Sequence, residues 1–143
     1  LRLYLDTSAL VKLYVEEDGS DKVREQVRQA DVVATSAIAY VEARAALARR
    51  HRERSLSPGD YRRTVRELDA DWQRYVSIEV TDVLIRKAAD LAGNHRLRAY
   101  DAIHLASAAF LAERLAEAVA FSSWDANLSA AARREGLEPL RLK

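Results

Sequence analysis

The sequence predicts an α/β protein in which a five-stranded parallel sheet lies between two layers of helices. Three observations lead there. Short apolar runs alternate with longer amphipathic stretches along the 143 residues, the order expected of repeated strand–helix–strand units. Three of the runs, at 1–5, 32–35 and 118–122, are continuously apolar, as strands covered on both faces must be. Only four Gly and two Pro occur, with no linker, repeat or low-complexity segment. A single domain over 1–143 is therefore expected, since a domain usually takes about 100–200 residues.

The elements follow in order. LRLYL (1–5) reads as a strand and stops at Asp6. A helix is expected over about 9–16 and another over about 20–29, before the strand DVVAT. The long helix at 37–54 carries Ile38, Val41, Ala45 and Ala48 at helical spacing, the stripe expected to face inward. SLSPGDY (55–61) is a turn into a helix reaching about residue 75. VSIEV (76–80) alternates like an edge strand, and Thr81 or Asp82 caps a helix to about residue 94. The segment 100–115 is apolar nearly all round, so it should be a buried helix. AVAFSS (118–123) is a strand, 126–135 a helix, and EPLRL (138–142) a last edge strand. In such sheets ligands bind beyond the carboxyl ends of the strands, where strand order reverses.

Composition removes several function classes. There is no Cys, hence no disulfide framework, thiolate metal site or thiol nucleophile. The three His are scattered without the pairing a common zinc site needs. No run approaches the ~20 apolar residues of a membrane span, no basic-then-apolar leader is present, and a cytoplasmic location is expected. The net charge is +1, so no global basic signal marks a nucleic-acid partner. Arg nevertheless outnumbers Lys by 19 to 4, and ARAALARRHRER (43–54) holds five of them; GC-rich coding alone would produce such a bias.

Four acids stand at places where chemistry is expected. Asp6 ends the first strand, Asp125 lies just past a later central strand, Asp101 opens the buried helix, and Glu42 sits at the edge of an apolar stripe. Each has a plain structural reading. The three Asp serve as helix caps or first-turn acids, and Glu42 as half of a surface pair with Arg49 or Arg50. Taken together they converge on one end of the sheet, where unpaired carboxylates repel one another unless a cation intervenes. Oxygen ligands alone suit Mg²⁺ or Mn²⁺, and the chemistry this implies is metal-assisted hydrolysis of a phosphodiester. Thr7, Ser8 and Ser123 are candidates to position those acids, or to cap helices.

YLDTSALVKLY, TSAIAYVEARAAL, LRAYDAIHLASA and FSSWDANL together resemble the PIN-domain ribonucleases, and among them the VapC-type toxins of type II toxin–antitoxin pairs. The resemblance spans essentially the whole chain. It implies a PIN-like α/β/α sandwich and places the family's acidic quartet on Asp6, Glu42, Asp101 and Asp125. Asp6 and Asp101 would be the main metal ligands. Ser8 matches the small hydroxyl residue after the first acid, and Ser123 stands where the family more often has Thr. It further implies endoribonuclease activity with Mg²⁺ or Mn²⁺, usually a homodimer, and inhibition by a cognate antitoxin protein. An acidic pocket that cuts a polyanion needs flanking positive charge. Arg49, seven residues after Glu42, and Arg96 and Arg98, just before Asp101, are the candidates for RNA phosphate contacts. His104, one turn after Asp101, is expected as a hydrogen-bonded core or rim residue.

Other readings are weaker. A haloacid-dehalogenase-type phosphatase needs a second Asp two positions after the first, where Ser8 stands. A response-regulator receiver needs a strand-end Lys that this chain lacks, and no Gly-rich phosphate loop exists. The alternatives that stay open are a PIN-fold RNA- or protein-binding module without catalysis, and an RNA-processing PIN nuclease outside a toxin pair.

Overall fold

A computed structural model describes residues 1–139 of the protein. The elements are β1 (Arg2–Leu5), α1 (Thr7–Val11), α2 (Ser20–Gln29), β2 (Val32–Ser36), α3 (Ile38–Arg52) and α4 (Pro58–Trp72), followed by β3 (Val76–Ile78), α5 (Asp82–His95), α6 (Ala99–Leu115), β4 (Ala120–Ser122), α7 (Ala126–Arg134) and β5 (Glu138–Pro139). Four strands of three to five residues and a fifth with two described residues form one parallel sheet, in the order β3-β2-β1-β4-β5. The strand expected at 138–142 begins as read; its residues 140–142 lie outside the described part. The three continuously apolar runs are the three central strands, and the two alternating ones are the edges.

Alternation along β1 separates two cores. Tyr4 pairs in register with Ala34 and Phe121 and packs with residues of α5, α6 and α7 on one face. Leu3 and Leu5 point the other way, into a core built from α1, α2, α3 and α4. Strand order runs outward from β1 in both directions, so the β1/β4 boundary is the switch point of the sheet.

Two expectations need correction. The first helix covers Thr7–Val11, not 9–16, because Asp6 itself is the N-cap and accepts the N–H of Ala9. After Val11 the chain turns, with Tyr14 and Val15 bonding back to the Val11 carbonyl. In α3 the buried residues are Ala39, Ala43 and Leu47, while Val41 is 64% exposed. An Ala-rich helix is mildly apolar all round, so its pattern does not select a face. The small residues Ala39 and Ala43 turn towards α1 and let the two helices approach closely.

Candidate active site

The carboxyl ends of β1 and β4 meet at the switch point, and a polar network gathers there. Asp6 is its centre, 3% exposed. Its Oδ1 accepts from the Ser8 hydroxyl at 2.7 Å and from the Ala9 N–H at 2.9 Å. Its Oδ2 accepts from the Ser123 hydroxyl at 2.6 Å. A carboxylate has about four acceptor positions, so one remains, on Oδ2. Burial pushes the Asp6 carboxyl above its usual range, against the opposing pull of the Ser123 and Ser8 hydroxyls and the Ala9 N–H. Capping and site formation are thus combined in one side chain.

Asp125 is joined to Asp6 through Ser123, whose hydroxyl accepts the Asp125 N–H at 3.0 Å. Asp125 is also the N-cap of α7, with Oδ1 accepting from the Leu128 N–H. Asp101 lies in the first turn of α6, a helix whose N-terminus is brought to the same end of the sheet. The guanidinium of Arg98 spans the two, 3.2 Å from Asp101 and 3.5 Å from Asp125. Arg98 is therefore at the acids, whereas the other two expected phosphate contacts are not joined to them. Arg96 occupies the left-handed C-cap of α5 with an exposed side chain, and its carbonyl accepts from Asn127. Arg49 lies two turns beyond Glu42 on α3, paired with Glu53 at 2.9 Å.

Glu42 stands in a second group, next to the first through the neighbouring residues Asp6 and Thr7. Its Oε1 accepts from the Thr7 hydroxyl at 2.6 Å and stands 2.9 Å from Nε2 of His104. Burial raises the Glu42 carboxyl, but the bonds from His104 and Thr7 outweigh it and leave the group below its usual range. His104 is 2% exposed, and its Nδ1 lies 2.8 Å from the Tyr4 hydroxyl. Burial pushes Tyr4 well above the usual phenol range, so it keeps its proton. The imidazole of His104 is thus held at both ring nitrogens, Nδ1 by Tyr4 and Nε2 by Glu42. The histidine expected at the core or rim is the arm that holds Glu42 in place.

The acids fall into two hydrogen-bonded groups, Asp6 with Asp125 and Asp101 through Ser123 and Arg98, and Glu42 with Thr7 and His104, which meet only along the chain at Asp6–Thr7 and form no closed cage. Among the described residues, no three of His, Asp and Glu are grouped closely enough to enclose a metal ion. The donor chemistry is nonetheless that of a hard cation: carboxylate oxygens with a free position on Asp6, hydroxyls behind them, and no thiol.

A model of the PIN domain matches residues 3–134. The chain belongs to the PIN-domain family. Two relatives from Mycobacterium tuberculosis, Ribonuclease VapC45 of strain CDC 1551 / Oshkosh and Ribonuclease VapC49 of strain H37Rv, are each 33% identical to this PIN domain over 134 residues, 94% of this chain and 91% of theirs. In three dimensions the chain is similar to M. tuberculosis VapC20, described as a sarcin–ricin loop cleaving toxin, with a TM-score of 0.70 at 19% identity over 98% of this chain and 99% of that one. PAE2754 of Pyrobaculum aerophilum gives 0.63 at 21% identity over 92% and 84%.

Two further residues stand at this candidate site that the sequence alone did not single out. Tyr4 carries the hydroxyl that fixes His104, and the signal was available: a phenol inside a continuously apolar strand must find a buried partner. Trp124 lies between Ser123 and Asp125, and its backbone N–H donates to Ser8. A Trp standing directly between Ser123 and Asp125, both already expected at the site, is the signal there.

Proposed function

We propose that the protein is a metal-dependent endoribonuclease hydrolysing RNA phosphodiester bonds, acting as the toxin of a type II toxin–antitoxin pair. One observation carries the reading: a carboxylate buried at the switch point of the sheet, Asp6, tied through Ser123 to Asp125 and left with one open acceptor position. An isolated structural cap gains nothing from such burial, which disfavours its charge. The ribonuclease relatives, 33% identical over 94% of the chain, support RNA as the substrate.

Asp6 and Asp101 are the proposed principal ligands of Mg²⁺, or of Mn²⁺, with Glu42 and Asp125 ligating directly or through water. Mg²⁺ keeps several waters and commonly takes one or two carboxylates, which Asp6 and Asp101 would supply. When bound, such an ion polarises a phosphate oxygen and lowers the pKa of water. The chain's own residues orient the site: Ser8 and Ser123 fix Asp6, Thr7 and His104 fix Glu42, and the exposed Arg98 is placed to meet a phosphate. Arg96 remains a candidate for a contact further along the RNA, whereas Arg49, paired with Glu53, is not expected to make one. The same reading implies a cognate antitoxin protein, a homodimer and action in the cytoplasm.

The test compares wild type and Asp101→Asn, free of antitoxin, on a pool of short labelled RNAs with Mg²⁺, Mn²⁺ or EDTA. Wild type should cut with metal and not with EDTA. The variant should lose at least about 100-fold while remaining folded by circular dichroism. RNA that binds but stays intact with every metal would favour a binding module, and equal cutting by the variant would remove Asp101 from the site.

A further inference from the structure

We infer that the groove between α2, β4 and α7 is a nucleobase subsite, which stacks the base beside the scissile phosphate on Trp124 and reads its acceptor edge with Gln26. This rests on the ribonuclease reading for its substrate and goes beyond it by assigning a base-selecting site. The groove measures about 450 Å³ and has an apolar floor of Phe121, Ala132 and Leu137, within the size range of small-ligand sites. Ser123 lines it and also bonds to Asp6. Whatever fills the groove therefore lies next to the acids.

Gln26 is the first observation. It is 6% exposed and lines the groove. Its Oε1 accepts from the Ser122 hydroxyl at 2.7 Å, and among the described residues its Nε2 has no hydrogen-bond partner. The N–H groups of Gln26 open onto the groove, where an acceptor on a ligand can take the place of water. With Oε1 engaged, the group offers N–H donors. These match O6 and N7 of guanine or O4 of uracil, and oppose the amino groups of adenine and cytosine.

Trp124 is the second. Its backbone is held by Ser8, and its indole packs on Gly19, where an added Cβ would lie 2.6 Å from the ring. Gly19 has a φ of +92°, so the close approach and the backbone both require glycine. The Lys12 ammonium stands 5.0 Å from the ring centroid. Although held so firmly, the side chain is 41% exposed and lines the groove. A fixed, open indole loses little freedom when a base stacks on it. At the rim stand Lys22 and Arg133, neither in an ion pair among the described residues, and the acid Glu138.

The test uses Trp72→Phe protein, in which Trp124 is the only remaining Trp, at low salt with EDTA. Tetraribonucleotides U4, A4 and C4 are titrated while fluorescence is read. Saturable quenching is expected, with U4 binding about tenfold tighter than A4 or C4. Gln26→Glu keeps the Ser122 bond but replaces the donor with an acceptor, and should invert that order. Because it also buries a carboxylate, Gln26→Met is the neutral control and should abolish the preference without inverting it. In parallel, the wild type, Gln26→Glu and Gln26→Met proteins digest a random-sequence RNA pool with Mn²⁺. G or U should be enriched at one position beside the cut, and the enrichment should be lost in both variants. Cleavage without quenching, or with an unchanged base pattern in both variants, overturns the subsite and leaves the nuclease standing. Quenching with the expected order but no cleavage by any protein overturns the nuclease and leaves the groove as an RNA-binding site.

Discussion

A carboxylate that caps a helix is normally open to water, which shares its charge; Asp6 caps α1 while almost wholly buried. In the metal-free protein that arrangement should cost stability, because burial disfavours the charged form. Asp6→Asn separates the two jobs. The amide oxygen still accepts from Ala9 and Ser8, and the amide N–H can donate to Ser123 once that hydroxyl turns. The fold then keeps its bonds and loses a buried charge. Without metal the variant should melt at or above wild type, by about 3–5 °C for each kcal/mol gained. Mg²⁺ should raise the melting temperature of wild type and leave the variant unmoved, since a ligand stabilises only a state that binds it. Asp6→Ala, which removes the cap as well, should lose about 1 kcal/mol. Thermal melts with and without Mg²⁺ decide; a variant that melts well below wild type in EDTA would mean that the charge itself is needed to cap α1.

At the scale of elements, the sequence was most legible where two periodicities agreed. Central and edge strands separated cleanly, because continuous apolarity and strict alternation are different patterns. Asp6 and Asp125 were legible as strand-end acids because their strands were. The inward face of α3 was not legible, since alanine spacing supports several faces equally and packing against α1 chose among them. Contacts across large sequence separation were illegible too: His104 meets Tyr4 a hundred residues away and Gln26 meets Ser122 ninety-six away. A third such contact clamps the end of α1 to the end of α4. The Tyr14 hydroxyl donates to Asp71 at 2.8 Å and is bonded to the Tyr75 hydroxyl. Burial, with the charge of Asp71 adding to it, pushes Tyr75 up to about 12. Between about pH 10 and 12 the unfolded tyrosine ionises while the folded one does not, so the unfolded state binds fewer protons and stability falls as pH rises. Each such group contributes a slope of about 1.4 kcal/mol per pH unit in that window. Tyr75→Phe leaves the Tyr14–Asp71 bond and should flatten the alkaline loss by about one proton; urea melts from pH 9 to 12 measure it, and parallel curves for the two proteins would place Tyr75 outside the clamp.

For the molecule as a whole, a net charge of +1 conceals a division of labour. The fold gathers carboxylates at one end of the sheet and leaves cations around them, with Arg98 at the acids, Lys22 and Arg133 along the adjoining groove, and Arg49 two turns down α3. On the proposed reading RNA approaches the acids over these cations, and the arrangement allows two paths, along the groove or over α3. Salt dependence distinguishes them. For single strands, each phosphate contact contributes about 0.7 to the slope of log affinity against log salt. Binding of a short RNA to Asp101→Asn, which does not cut, gives the reference slope. Adding Lys22→Ala and Arg133→Ala together should reduce its magnitude by about 1.4 if both meet phosphates. Arg49→Ala should leave it unchanged, because that guanidinium is already paired with Glu53 and stands apart from the acid network. A fall with Arg49→Ala and none with the groove pair would route the RNA over α3, and would separate the groove from the substrate altogether.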